Sequence, residues 1–299
     1  MKSSTYFADT VIMKDSRISI VIPAKNEAQN LQNFLPRLRE AVGEQVECIV
    51  VNDGSTDETA AICEQYGVRV VSHPYSKGNG AAIKTGARLA TGEILVFLDG
   101  DGQHKPEDIP RLLEELDKGF DMVVGARDRE SQADSARALA NGIYNSLSSR
   151  ITGHKILDLT SGFRAVKADK FREFLYLLPN GFSYPTTCTM AFFRAGYSVG
   201  YVPIQTEKRL GKSHISLLND GIRFLIIIFK VGTLYSPLKI FLPTAVGFFL
   251  TGCAYYLYTF LAQGRFTNMS AVLFMTAVLV FLIGLVSEQV TALMYKDNK

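Results

Sequence analysis

Two stretches near the carboxyl terminus constrain this chain most. No charged residue occurs from Ile240 to Gly264, and after Arg265 none occurs from Phe266 to Ser287. At about 1.5 Å per helical residue, either stretch can cross a hydrocarbon core roughly 30 Å thick. The predicted element is a two-helix membrane hairpin, with spans of about 240–263 and 267–287 inside residues 237–299. Pro243, Gly247, Gly252 and Gly284 do not oppose it, because spans tolerate such residues and small ones permit close packing. Basic residues precede the first span (Lys208, Arg209, Lys212, Arg223, Lys230, Lys239) and follow the second (Lys296, Lys299), whereas the turn carries only Arg265. By the positive-inside rule both ends of a multi-pass inner-membrane hairpin, and the domain before it, are expected to be cytoplasmic.

The segment before the hairpin, residues 213–236, contains Ile215 to Lys230 (ISLLNDGIRFLIIIFK). Asn219, Asp220 and Arg223 lie near one helical face, and apolar side chains supply the rest. This suits a helix lying at the bilayer interface; a buried core helix is the alternative.

Residues 17–212 read differently. ILVFLDGDGQH (Ile94 to His104) is an apolar, β-branched run that ends in two aspartates one glycine apart. It predicts a buried parallel strand that delivers Asp99 and Asp101 to its carboxyl end, the edge of an open α/β sheet where ligands bind. With Gly100 and Gly102 removing bulk and Gln103 offering a neutral oxygen, these hard ligands suit magnesium or manganese shared with a diphosphate. A calcium loop is excluded, because the twelfth position counted from Asp99 is Pro110 and His104 stands where that loop needs glycine.

Further strands are expected at Ile18 to Ile22, Val46 to Val51, Val68 to Ser72, Met122 to Gly125 and Val199 to Pro203, separated by helical patterns. Their alternation predicts an α/β fold with a mostly parallel sheet flanked by helices. Leu31, Phe34, Leu35 and Leu38 should form the buried face of the first helix, and Ser55 or Thr56 should cap the second. Residues 128–135 (DRESQADS) are expected to form a mobile loop, and residues 1–16 a loose lead-in. Ser161 to Arg164 read as a link between two helical segments. Glu27, Asp53 and the Asp99–Asp101 pair follow three strands and should converge on one crevice. Asp53 there either accepts from a base imino group or ribose hydroxyl, or caps the next helix. KGNGAAIKTG (residues 77–86) lacks the spacing of a Walker loop and supports only a backbone bend near a phosphate.

Composition excludes other classes. A net charge of +3 gives no reason to expect a nucleic-acid partner. Cys48, Cys63, Cys188 and Cys253 are widely spaced within apolar or helical stretches, so they read as small buried hydrophobes and not as disulfides or a zinc site. The first fifteen residues lack the apolar core and cleavage site of a signal peptide.

The succession VIPAKNE, VNDGSTD, LDGDGQHKPED, TSGFRA and RLGKSH resembles the family 2 glycosyltransferases of GT-A fold. It is most similar to the polyprenyl-phosphate sugar synthases, dolichyl-phosphate mannose synthase-like and bacterial glucosyltransferase-like. Two spans after an amphipathic segment also resemble the bacterial members. The resemblance implies a nucleotide-binding set of Pro23, Ala24, Glu27, Asp53, Asp99, Gly100 and Arg127, with Arg127 reaching the phosphates. It implies a divalent cation, Mg2+ or Mn2+, on Asp101 and Gln103. It places Ser161, Arg164 and Arg137 on the acceptor-phosphate side, with Arg209 and Lys212 closing over both anions. His214 stands where members often carry lysine, so Lys212 or His214 fills that last cationic position. The implied catalytic set is Asp99, Asp101, Arg127, Arg209 and Lys212.

The implied partners are a nucleotide-diphosphate sugar, with uridine favoured over guanosine, a polyprenyl phosphate lipid, the membrane and further copies of the chain. The implied reaction is inverting transfer of one sugar to the lipid phosphate at the cytoplasmic face. A membrane-anchored transferase extending a lipid-linked saccharide or polymer is the alternative. It would more often need a carboxylate base, and polymerising relatives usually carry a Gln-x-x-Arg-Trp element, whereas this chain has no tryptophan. A catalytically silent scaffold is disfavoured by the intact Asp99, Asp101, Arg127 and Arg209.

Overall fold

The computed structural model describes residues 17–127, 135–181, 183–206, 229, 232, 233 and 235–294. These residues fall into two compact units: one holds residues up to 149 and from 154 to 206, the other residues 150–153 together with those from 229 to 294.

The first unit alternates strand and helix. In chain order it runs β1 (Ile18–Ala24), α1 (Ala28–Val42), β2 (Glu47–Asn52), α2 (Thr59–Gln65), β3 (Arg69–Ser72), α3 (Asn79–Leu89) and β4 (Ile94–Phe97). A 3-10 turn (Pro106–Asp108) leads into α4 (Ile109–Asp117), followed by β5 (Met122–Arg127), α5 (Ser135–Thr152), β6 (Arg164–Lys167), α6 (Ala168–Arg172), α7 (Tyr184–Arg194) and β7 (Val199–Ile204). The strands form one seven-stranded sheet in the order β3-β2-β1-β4-β6-β5-β7. Every residue of β1 and β4 is buried, as near-continuous apolar runs require of central strands covered on both faces, and the one polar residue among them, Ser19, accepts the Gly92 N–H through its Oγ at 2.8 Å. Leu31, Phe34, Leu35 and Leu38 are buried along α1, each contributing on the order of 2 kcal/mol of apolar burial.

Three local expectations change. The segment read as a link contains β6, which pairs antiparallel with both β4 (Phe97 opposite Arg164) and β5 (Val124 opposite Arg164). Four residues with a cation at each end carry no readable period, and the strand exists because both neighbours offer it a ladder. Ser55 and Thr56 do not cap α2; Ser55 Oγ instead accepts the Asn26 N–H, and Asp57 Oδ1 accepts the Thr59 N–H at the helix start. The second apolar helix continues past Ser287 to Met294.

Among the described residues two helices are long and apolar enough to cross a membrane, both in the second unit: α8 (Leu238–Gln263) and α9 (Asn268–Met294). Gly264 ends α8 in the left-handed region, at φ 64°. Gly284 lets the helices touch, since a Cβ there would lie 2.5 Å from Phe241 Cβ. Glu288 of α9 accepts from the backbone N–H of Leu238 at 3.2 Å and from Ser236 Oγ at 3.3 Å, so a carboxylate from one helix satisfies the amino end of the other. The helix end at residues 150–153 is tied to the same base, with Lys239 Nζ donating to Ile151 O at 2.7 Å and Tyr235 Oη to Thr152 O at 3.3 Å. The interfacial segment expected at residues 215–230 lies almost wholly outside the described residues.

Candidate active site

The carboxyl ends of β1, β2 and β4 meet. Asp53 donates its N–H to Ala24 O at 2.8 Å and Gly100 donates to Pro23 O at 3.3 Å, which keeps the three chain ends aligned beyond their regular pairing. A Cβ at Gly100 would come within 3.2 Å of Pro23 O, so glycine permits the approach. The loops after β1 and β2 also grip each other. Thr56 N donates to Asn26 Oδ1 at 2.8 Å, Glu27 N to Thr59 Oγ1 at 3.0 Å, and Ala28 N to Asp57 Oδ2 at 3.1 Å.

The result is a cavity of about 340 Å³ lined by Pro23, Ala24, Glu27, Asp53, Asp99, Gly100 and Asp101, together with Lys25, Ser76, Gly78 and Asn79. All of the expected nucleotide set except Arg127 is therefore brought together. Lys25, Ser76, Gly78 and Asn79 were not anticipated, although the last two lie in the glycine-rich stretch at residues 77–86.

Asp53 is more heavily engaged than its place in the sequence suggests. Its Oδ1 is 2.7 Å from His73 Nδ1 and accepts from Lys77 N at 2.8 Å, while its Oδ2 accepts from Ser76 Oγ and Gly78 N, both at 2.8 Å. His73 Nε2 in turn meets Thr85 Oγ1 at 2.9 Å. Burial opposes ionisation of Asp53, but the His73 contact and the backbone donors outweigh it and hold the carboxyl down to about 2. It anchors the turn before α3 and also forms one wall of the cavity, whereas α2 has no side-chain cap, so the helix-cap reading of Asp53 is corrected.

Asp99 Oδ1 accepts from Asn79 Nδ2 at 3.3 Å, and its Oδ2 lies 3.9 Å from His104 Nε2. His104 is buried, packs on Phe163 with ring centroids 5.2 Å apart, and has no partner for Nδ1 among the described residues. Burial lowers its pKa, so the ring is neutral near pH 7. Asp101 Oδ1 accepts from Gln103 N at 3.1 Å.

Asp99, Asp101 and Gln103 offer only hard oxygen donors, and no group of three or more His, Cys, Asp or Glu side chains suited to a metal occurs among the described residues. Such a set is too small for a closed protein cage. It fits a magnesium or manganese ion that completes its shell with diphosphate oxygens and water.

Arg164 is placed otherwise than the resemblance implies, and Arg127 lies outside the cavity lining. Arg127 lies at the end of β5, where Nε and Nη2 donate to Asp158 and Nη2 also donates to Thr160 Oγ1 at 2.6 Å. Asp158, which no sequence motif singles out, also accepts through its carboxylate from the backbone N–H groups of Arg127, Thr160 and Ser161. Burial disfavours its charge, but the Arg127 hydrogen bonds prevail and keep its pKa below the carboxylate range. Arg164 has 0% exposure, and its guanidinium donates to Ser161 O, Pro185 O and Thr189 Oγ1. It is a core residue that ties β6 to α7 and the loop before it, and it presents no surface to an acceptor phosphate. Ser161 is likewise buried. The side chain of Arg137 on α5, the whole of Arg209, Lys212 and His214, and the loop at residues 128–134 lie outside the described residues.

The family model described as Glycosyl transferase family 2 matches residues 19–175, more than half of the 299-residue chain. The chain belongs to glycosyltransferase family 2. A second family model, the GtrB C-terminal hairpin, matches residues 236–293, so this family 2 glycosyltransferase carries its two apolar helices as a recognised unit and is membrane-associated. It is 33% identical over 216 residues to a polyprenol monophosphomannose synthase of Mycolicibacterium smegmatis, covering 67% of this chain and 81% of the relative. It is 34% identical over 168 residues to an undecaprenyl-phosphate 4-deoxy-4-formamido-L-arabinose transferase of Edwardsiella ictaluri, and that match covers 53% of this chain and only about half (51%) of the relative's length.

Among solved structures it is similar to glucosyl-3-phosphoglycerate synthase of Mycobacterium tuberculosis, crystallised with Mn2+, UDP-glucose and phosphoglyceric acid. The TM-score is 0.60 at 22% identity, over 73% of this chain and 80% of that one. This likeness establishes the GT-A fold of the family 2 glycosyltransferase unit.

Proposed function

We propose that this chain transfers one sugar from a nucleotide-diphosphate sugar to a polyprenyl phosphate at the cytoplasmic membrane face, with inversion at the anomeric carbon. The observation that carries this reading is the union, in one chain, of a family 2 cavity walled by Asp99 and Asp101 with a GtrB-type hairpin. Two relatives whose names specify polyprenol or undecaprenyl phosphate chemistry support the acceptor.

The reaction asks little of a general base, because a lipid monophosphate is already an anion at neutral pH. One acceptor oxygen forms a bond to C1 of the sugar as the bond from C1 to the diphosphate oxygen breaks, and the electron pair leaves with the nucleoside diphosphate. The protein must hold two anions together and exclude water. Asp101 and Gln103 would hold a divalent cation, Mg2+ or Mn2+, which supplies Lewis-acid stabilisation of the departing diphosphate. Asp99, oriented by Asn79, faces the sugar side, and the Asp53-anchored turn walls the nucleoside side. Arg127, held by Asp158, stands at the phosphate side as a fixed positive charge. Arg209 with Lys212 or His214 would close over the donor and acceptor phosphates. A uridine donor and assembly into a homo-oligomer belong to the same reading.

The test is transfer from radiolabelled nucleotide sugars to undecaprenyl phosphate in detergent with manganese or magnesium, beside Asp101→Ala. One labelled sugar should enter the lipid fraction, in the inverted configuration, and the variant should fail. Donor consumption that requires an oligosaccharide acceptor would replace this reading with saccharide extension, and a retained configuration would refute direct displacement.

A further inference from the structure

Three consecutive residues of the turn before α3 give their donors to one carboxylate: Ser76 Oγ, Lys77 N and Gly78 N each donate to Asp53 at 2.8 Å. The fourth partner is His73, buried like Asp53, whose Nδ1 stands 2.7 Å from Oδ1 and whose Nε2 meets Thr85 Oγ1 at 2.9 Å. Each Asp53 oxygen thus carries two contacts, which fills the acceptor capacity of a carboxylate.

The amides of Lys77 and Gly78 are therefore spent on Asp53 and are not turned to a phosphate. What this wall shows the cavity is the opposite polarity. Ser76 is exposed and lines the cavity. Because a carboxylate only accepts, the Ser76 hydroxyl proton is committed to Asp53, and Oγ keeps only lone pairs for a ligand. Its backbone is fixed as well. At Gly54, where φ is +68°, a Cβ would lie 2.6 Å from Ser76 N and 2.7 Å from the carbonyl carbon of Tyr75, so glycine is what lets the loop after β2 close on this residue. Ser76 is an acceptor of set position and set polarity in the cavity wall. A ligand N–H or O–H is matched by it, and the oxygens of a diphosphate are turned away.

We propose that Ser76 reads the nucleoside of the donor, its Oγ accepting the imino N–H of the base or a hydroxyl of the ribose. The inference rests on the reading of the donor as a nucleotide sugar. It adds a specificity-determining residue whose partner is the nucleoside and not the diphosphate or the transferred sugar.

The experiment uses the full chain in lipid nanodiscs with Mn2+. Competitive binding is measured for the better-bound of UDP and GDP, its analogue methylated at the base imino nitrogen, its 2′-deoxy and 3′-deoxy analogues, and inorganic pyrophosphate, in wild type, Ser76→Ala and Ser76→Thr. Ser76→Ala should bind the parent nucleotide about fivefold more weakly and should shrink the penalty of one analogue to about twofold or less, which identifies the group that Ser76 accepts from. Pyrophosphate affinity should stay within about twofold of wild type, which also reports an intact cavity, and Ser76→Thr, which keeps the hydroxyl, should keep the discrimination. Wild-type affinity and discrimination in Ser76→Ala, or parallel loss of pyrophosphate and nucleoside diphosphate in both variants, overturns the inference. Discrimination that depends on Ser76 in a chain that moves no sugar to undecaprenyl phosphate would uphold Ser76 and refute the proposed lipid acceptor. Sugar transfer to that lipid beside a Ser76→Ala that binds as wild type would uphold the reaction and overturn Ser76, so the two failures are distinguishable.

Discussion

Arg127 and Asp158 form a two-pronged ion pair, with Nε to Oδ2 at 2.7 Å and Nη2 to Oδ1 at 3.0 Å. The same carboxylate collects the backbone N–H groups of Arg127, Thr160 and Ser161, so one buried charge joins the end of β5 to the loop that precedes β6. Asp158→Ala strands the arginine and unlatches that loop. It should cost about 3 kcal/mol, and the loss should be non-additive with Arg127→Ala in a double-mutant cycle of denaturant unfolding. Additive losses would show that the two residues act separately.

Gly162 faces Asp99. A Cβ there would stand 2.9 Å from Asp99 Oδ2, the tip of a side chain that can turn aside. Gly162→Ala should therefore leave the melting temperature within about 2 °C of wild type and lower sugar transfer by about tenfold or more, because Asp99 is displaced from its Asn79 contact. Circular dichroism melts paired with transfer rates separate the two effects, and wild-type turnover in a normally folded variant would refute the placement of Asp99.

Glycines elsewhere respond by their surroundings. At Gly80 a Cβ would meet backbone on two sides, Pro179 O at 2.1 Å and Gly181 O at 2.8 Å, so Gly80→Ala should destabilise by about 2 kcal/mol or more. Gly142, exposed on α5 with nothing within 4 Å of such an atom, should gain about 0.5–1 kcal/mol on change to alanine through helix propensity alone. Opposite shifts in unfolding midpoint are expected from the same chemical change.

Asp53 sets an acid limit. Its carboxyl is depressed from 3.8 to about 2 in the folded chain, so folding gains from its ionisation above about pH 4 and loses that gain as pH falls through 2. The contribution is on the order of 2 kcal/mol. Asp53→Asn should be less stable than wild type at pH 7 and should approach it near pH 2; a constant difference between the two pH values would show that the charge is not what anchors the turn.

Much of this was legible in the sequence because long apolar runs leave little choice. β1 and β4 are buried on both faces, and the glycines after β4 announce a crowded sheet edge. β6 was not legible: Arg164 and Lys167 bracket only two apolar residues, and nothing local shows that Arg164 is enclosed by Ser161, Pro185 and Thr189. An arginine in such a motif reads as a ligand for an anion, whereas its carbonyl partners here make it a core strut. The carboxylate of Asp53 was visible but its four donors were not, since three of them arrive from a loop more than twenty residues away. Asp158 had a signal in hindsight, a lone acid two residues ahead of the Thr-Ser-Gly stretch. Glu288 closes the charge-free stretch in the sequence, yet it lies inside α9.

Glu288 follows Leu238, whose N–H it accepts, by fifty residues. During synthesis the first turn of α8 leaves the ribosome long before the carboxylate that completes it, and about three-quarters of α9 must be made first. The anchor is thus closed from its far end, and a chain cut just before Glu288 would still possess two apolar stretches yet would have lost the fastening at the root of the first.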